Sequence, residues 1–181
     1  MPKVRQIMRK LSKIGGKYDC MKVNPHFTLM TTFKTSKIAE IIKEIKKQHF
    51  KKFTITLQGP LLFSKNFVWF RGEKKAMHLI HKKVIEIVSR YKSSWVLSYY
   101  KKIKLDKKQK GYLKQYSFPY AREYFLPHMA LAGFNFSDDK MPKIKESIKK
   151  QVKIKMPIRN IYILTKRKNN WYIYKKIKLL K

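Results

Sequence analysis

A single cysteine, Cys20, stands in 181 residues, which excludes an intramolecular disulfide and any metal site assembled from several thiolates. Acids are the next scarcity: 10 Asp and Glu face 45 Lys and Arg, for a net charge of +35. A biased genome that favours Lys would favour Glu with it, and Glu is scarce here. The imbalance therefore points to a polyanionic partner, with RNA or another oligonucleotide the best fit. Long apolar runs are missing too. No stretch approaches the ~20 apolar residues of a membrane-spanning helix, and no lipidation motif is present, so no membrane role is expected. The basic N-terminus has no apolar signal core, which makes a reducing cytoplasm the expected setting.

What the chain does have is a repeat. Pro25-His26-Phe27-Thr28-Leu29 recurs about a hundred residues later as Pro127-His128-Met129-Ala130-Leu131. Each copy sits in an apolar, strand-like run, where a histidine shares its face of the strand with the residue two places on. That neighbour is Thr28 in the first copy and Ala130 in the second. Each histidine is followed by a helix-like segment, an alternating strand and an aromatic strand, and Trp69 follows His26 at the same spacing at which Trp171 follows His128. This pattern reads as an internal duplication, two lobes each giving one histidine to a shared cleft. With 44% hydrophobic and 14% aromatic residues, the chain suits one domain over residues 1–181. Within it we expect a basic N-terminal helix (1–20), a first histidine repeat (21–71), a linking helix, strand and loop (72–124) and a second repeat (125–181).

Taken in order, Val4, Ile7, Met8 and Leu11 recur at helical spacing with basic residues between them, a helix packed on the body in preference to an RNA-binding or membrane arm. Residues 21–33 read as a strand. Thr35 or Ser36 is placed to cap a helix whose apolar stripe is Ile38, Ile41, Ile42 and Ile45. Phe53, Ile55 and Leu57 alternate with Thr54 and Thr56 as a half-buried strand, which Gln58-Gly59-Pro60 is expected to break. After a turn near Lys65-Asn66 comes the Trp69 strand, and Glu73 to Tyr91 form the longest helix. His78 and His81 are three apart on that helix, but no carboxylate or thiol pair accompanies them, so no metal site is assigned. Trp95 to Tyr100 reads as a strand. Residues 101–110 look least globular, and the next segment is dense in Tyr112, Tyr116, Tyr120 and Tyr124. Those tyrosines either stack bases beside basic residues or patch the core of a solvated hairpin. In the second repeat, Ser137 or Asp138 is available as a cap, and Met141, Ile144, Ile148 and Val152 supply a helix face. Ile161, Ile163, Trp171 and Ile173 then make a closing hairpin across residues 168–170.

Two histidines facing one phosphate can hold opposite roles in a turnover, one accepting a proton from water and the other giving one to the leaving oxygen. A hydroxyl beside a histidine can donate to the phosphoryl oxygens. The two Pro-His motifs, the strand and turn from Phe53 to Gly59, the Val68-Trp69-Phe70 strand and the closing hairpin together resemble the 2H phosphoesterase superfamily, which includes the LigT-like 2′-5′ RNA ligases and cyclic nucleotide phosphodiesterases. The resemblance covers about residues 22–178. It implies an α+β, two-lobed pseudo-symmetric fold, mostly antiparallel sheets with helices outside and a central cleft. It also implies His26 and His128 as the catalytic acid/base pair and Thr28 as a phosphate ligand, with no metal or cofactor. Lys34, Tyr120, Arg122 and Tyr124 are further candidates for substrate binding. Ala130 takes the place of a second Thr or Ser, Gly133 that of a basic residue, and the first twenty residues lack an opening apolar strand. These departures leave a second class of function open, an RNA-binding protein on the same fold with reduced or lost catalysis.

Overall fold

A computed structural model describes residues 2–15, 24–63, 67–72, 75–133, 137–168 and 170–181. The fold is α+β. In order the elements are α1 (Pro2–Gly15), α2 (Ile38–Lys47), β1 (Phe53–Phe63), β2 (Phe67–Gly72), α3 (Lys75–Tyr91), α4 (Lys107–Tyr116), β3 (His128–Gly133), α5 (Met141–Ile148), β4 (Val152–Ile158), β5 (Asn160–Arg167) and β6 (Asn170–Lys178). All the strand pairs are antiparallel. Among the described residues no helix is long and apolar enough to cross a membrane.

The chain forms two compact units, Met1–Phe27 with Lys52–Glu73 and His128–Lys178, and Thr28–Lys51 with Lys74–Pro127 and Leu179–Lys181. Their division does not follow the sequence repeat. The first unit combines β1 and β2 of the first repeat with β3 and α5 to β6 of the second, and it contains both His26 and His128.

The core of the first unit is a four-stranded sheet in the order β3-β2-β1-β4. Period-two alternation gives it two unlike faces. Ile55, Leu57, Phe70, Met129 and Met156 are buried on one face, each such side chain contributing roughly 1.5–3 kcal/mol on leaving water. Helix α1 packs on β3 and α5 through Val4, Met8 and Leu11, and α5 packs on β1. The alternate residues Thr54, Thr56, Gln58, Arg71, Lys153 and Lys155 are exposed, and register puts them on the other face: Gln58 opposes both Arg71 and Lys153, and Thr56 opposes Lys155.

The expected break at Gln58-Gly59-Pro60 is overturned, because β1 runs on to Phe63. Between Gln58 and Leu61 the pairing with β2 slips, so that Gly59 and Pro60 face Phe70 alone. Pairing with β4 ends at Gly59, so the missing N–H of Pro60 interrupts no ladder there. At Gly59, φ is +148 and an added Cβ would lie 2.9 Å from Phe70 Cδ1, which only glycine tolerates. Val152 is likewise not helical: it opens β4, a strand absent from the sequence expectation, whose partner is β1. The closing hairpin, β5 with β6, is a separate two-stranded sheet.

In the second unit α2 packs on α3, and α3 on α4 and on a 3-10 turn at Arg122–Tyr124. Three expectations fail here. The Thr35 hydroxyl accepts the Lys37 N–H at 2.9 Å, but Lys37 itself is the N-cap of α2 and no side chain caps that helix. Trp95 to Tyr100 is not a strand. Its last residues enter a 3-10 turn, Ser98–Lys101, because Tyr100 is drawn into a core with Ile85, Tyr116, Phe118 and Ala121. The supposedly loose segment after it becomes α4. Asp106 accepts the Gln109 N–H at 2.8 Å and the Gln109 side chain accepts the Asp106 N–H at 3.1 Å, a reciprocal capping box. The candidate caps Ser137 and Asp138 lie in a turn before α5, whose N-cap is Lys140. The expected turn at Lys65-Asn66 lies outside the described residues.

Candidate active site

His128 is the first residue of β3, where it opposes Arg71 of β2. Its ring is 5.2 Å from that of Trp69 and 5.8 Å from that of Phe67, the latter edge-on. Phe63 tilts against Trp69 in turn at 4.9 Å. An aromatic wall from β1 and β2 thus limits the orientations open to the His128 imidazole.

His26 arrives differently. The expected strand over residues 21–33 is reduced to one antiparallel bridge, Phe27 to Met129, and residues 21–23 lie outside the described set. Pro25 has no N–H to give a ladder. The side chain of His26 also turns inward on its own backbone, with Nδ1 2.9 Å from the Asn24 carbonyl. A carbonyl only accepts, so Nδ1 carries the proton and the lone pair of the neutral ring is on Nε2. Arg5 of α1 donates to the Asn24 side chain at 2.9 Å, which ties this turn to the packed N-terminal helix.

The bridge joins the two histidine motifs. Phe27 lies on the core face: its ring comes within 3.1 Å of the position a Cβ on Gly72 would occupy, beside Ile55. Met129 is fully buried. His128 precedes Met129 in β3, so alternation puts its imidazole on the opposite face, with Arg71, and His26 precedes the bridge partner Phe27. The bridge brings His26, the residue before Phe27, next to the start of β3, where His128 stands. Both histidines are half-buried. None of the six strands among the described residues contains Asp or Glu, so the strand residues exposed beside His128 are cations and hydroxyl or amide side chains.

Thr28 is exposed and is the first residue of the second unit. Lys34, Tyr120, Arg122 and Tyr124 belong to that unit as well. Lys34 Nζ stands 5.3 Å from the Trp95 ring, and Tyr120 meets Tyr100 and Phe118 edge-on. Arg122 donates from Nε and Nη2 to the Tyr116 hydroxyl at 3.0 and 2.8 Å. The Tyr124 hydroxyl donates to Asp106 at 2.8 Å.

His81 is a packed histidine. Its Nδ1–H donates to the Leu29 carbonyl at 2.7 Å, Nε2 accepts the Arg122 N–H at 3.1 Å, and the ring stacks on Phe125 at 3.8 Å. Burial pushes its pKa down from 6.5 to about 4, so it is neutral near pH 7 with both nitrogens engaged. Among the described residues no group of three or more His, Cys, Asp or Glu is placed to hold a metal.

Sequence reasoning missed Arg71, Lys153, Lys155 and the aromatic wall as companions of His128. The alternation of Thr54 and Thr56 marked the exposed face of β1, but only strand register shows which cations share it.

An antiparallel α+β fold in which one bridge joins the residues next to the two Pro-His histidines has the character of a 2H phosphoesterase. The family model of the 2′-5′ RNA ligase superfamily matches residues 3–170, and the chain belongs to that superfamily. No curated protein matches it.

Proposed function

We propose that the protein is a phosphodiesterase or 2′-5′ RNA ligase-like enzyme that acts on 2′,3′-cyclic phosphate or 2′-5′-linked RNA through His26 and His128. The observation that carries this reading is the Phe27 to Met129 bridge, which supports a common face for the two imidazoles. In this reading both imidazoles reach one phosphoryl group, each at hydrogen-bond range of it.

His26 takes the role of base, since its Nδ1–H is given to Asn24 and Nε2 offers the lone pair. It accepts a proton from water as the water oxygen bonds to phosphorus. The phosphorus–oxygen bond to the ribose 2′ or 3′ oxygen breaks, and His128 gives that oxygen its proton. With an RNA 5′-hydroxyl in place of water, the same transfer joins two ends. The paired imidazoles perform these proton transfers without a metal-bound water. Arg71, Lys153 and Lys155 draw the anionic substrate to the face. We assign Thr28, two residues after His26, as a donor to the phosphoryl oxygens. The solitary Cys20 fits action in a reducing cytoplasm.

Ala130 favours a second reading. It stands two residues after His128 on β3 and offers no hydroxyl, so an RNA-binding protein with weakened catalysis is the alternative. The two readings separate in an assay of 2′,3′-cyclic and 2′-5′-linked substrates with the intact protein, His26→Ala and His128→Ala. The enzyme reading requires turnover that falls by about 10²-fold or more in each variant. RNA binding without turnover in the intact protein establishes the alternative.

A further inference from the structure

The β5–β6 ribbon has no role in the chemistry above. It holds Lys166, Arg167, Lys168, Lys175, Lys176 and Lys178 and no acid. Ile161 and Ile177, a cross-strand pair near its base, are buried. Beyond them the ribbon is open: Tyr162 is 45% exposed, Tyr172 49%, Ile173 57% and Tyr174 51%. Register sorts one face clearly. Tyr162 opposes Lys176, Leu164 opposes Ile173, and Lys166 opposes the half-buried Trp171. A two-stranded ribbon is marginal by itself, and an uncovered aromatic and apolar face on it is expected to have an occupant.

We propose that this face docks single-stranded RNA, with Tyr162 and Trp171 stacking bases while Lys166, Lys176 and Lys178 contact phosphates. Alternating aromatics and cations with no carboxylate are what a base-and-backbone ligand requires. The segment of residues 101–125 has the same residue types but spends them internally, for the hydroxyls of Tyr112, Tyr116 and Tyr124 bond Glu123, Arg122 and Asp106. A lipid surface fits less well, because Arg167, Lys168 and Asn170 stand at the ribbon's turn and resist entry into hydrocarbon. The inference needs RNA as the ligand but does not need the histidines to cleave it.

The test is binding of a fluorescein-labelled single-stranded RNA with plain hydroxyl ends to the full chain, made in a His26→Ala background so that catalysis plays no part. Tyr162→Ala is expected to weaken binding about five-fold or more, the loss of one stacked base. The triple change Lys166→Gln, Lys176→Gln and Lys178→Gln is expected to flatten the slope of log K against log salt by about 2. Tyr99→Ala, on the second unit and 58% exposed, should bind as the parent does. Parental RNA affinity and salt slope in both ribbon variants would overturn the proposal. So would a loss of binding to phosphatidylserine vesicles with RNA binding intact.

Discussion

Phe27 and Met129 pair across a single antiparallel bridge, and through it the residue after His26 is joined to the residue after His128. One residue of slip would turn Phe27 away from Ile55 and the core. The anchoring around the bridge has a clear purpose in this light: the Phe27 ring is pressed over Gly72, and Arg5 holds Asn24 beside His26.

If the two histidines act as base and acid, activity depends on pH along a bell, since one must be neutral while the other is protonated. Rates of 2′,3′-cyclic phosphate hydrolysis measured across pH 5–9 should show both limbs, and EDTA should leave them unchanged. A sigmoidal profile, or loss of activity in EDTA with recovery on adding a divalent ion, contradicts the mechanism.

Ala130 follows His128 by two residues on β3 and shares its face, so a hydroxyl there would lie beside that imidazole. Ala130→Thr is expected to raise kcat, up to the ~10²–10³-fold worth of one donor to a developing oxyanion. RNA affinity should hardly change. A well-folded Ala130→Thr protein with unaltered kcat would show that the missing hydroxyl does not limit the reaction.

His81 makes stability depend on pH with a definite sign. Its folded pKa lies near 4 against 6.5 for the free group, so between those values the unfolded chain binds more protons and stability falls as pH falls. Above pH 6.5 the contribution is fully present, and at about 1.4 kcal/mol per unit it amounts to roughly 3 kcal/mol. Chemical denaturation at pH 7, 5.5 and 4.5 should follow this decline. His81→Gln, which keeps a donor and an acceptor, should be less stable at pH 7 but flatter with pH.

Asp106 both caps α4 and accepts the Tyr124 hydroxyl. Asp106→Ala is expected to cost about 1 kcal/mol for the cap, with a further loss for Tyr124. Asp106→Asn, still a good cap, should lose less. Urea midpoints for the two variants check the order, and equal losses would show that the cap is not what matters.

The family and the α+β class were legible because the repeated pentapeptides and the strand and helix periodicities around them survive in one dimension. So were α1, α2, α3 and the hairpin, whose apolar spacing is regular. The failures share a physical cause, in that tertiary partners overrode local signals. Gly59-Pro60 looks like a chain break until Phe70 fills the space beside it, and Tyr100 belongs to a strand-like run until the core of the second unit claims its ring. The Asp106–Gln109 box was a readable helix start hidden in a lysine-rich segment. Arg71, Lys153 and Lys155 carry no motif at all; they join the face of His128 through register, a property of paired strands.

If the protein works as proposed, His26 and His128 address one phosphate. Imidazole 15N–1H spectra recorded while titrating a nucleoside 3′-monophosphate test it most directly. The account predicts that the ring signals of both histidines move together with a single dissociation constant and that His81 stays still. Movement of only one of the pair, or of neither at saturating nucleotide, would contradict it.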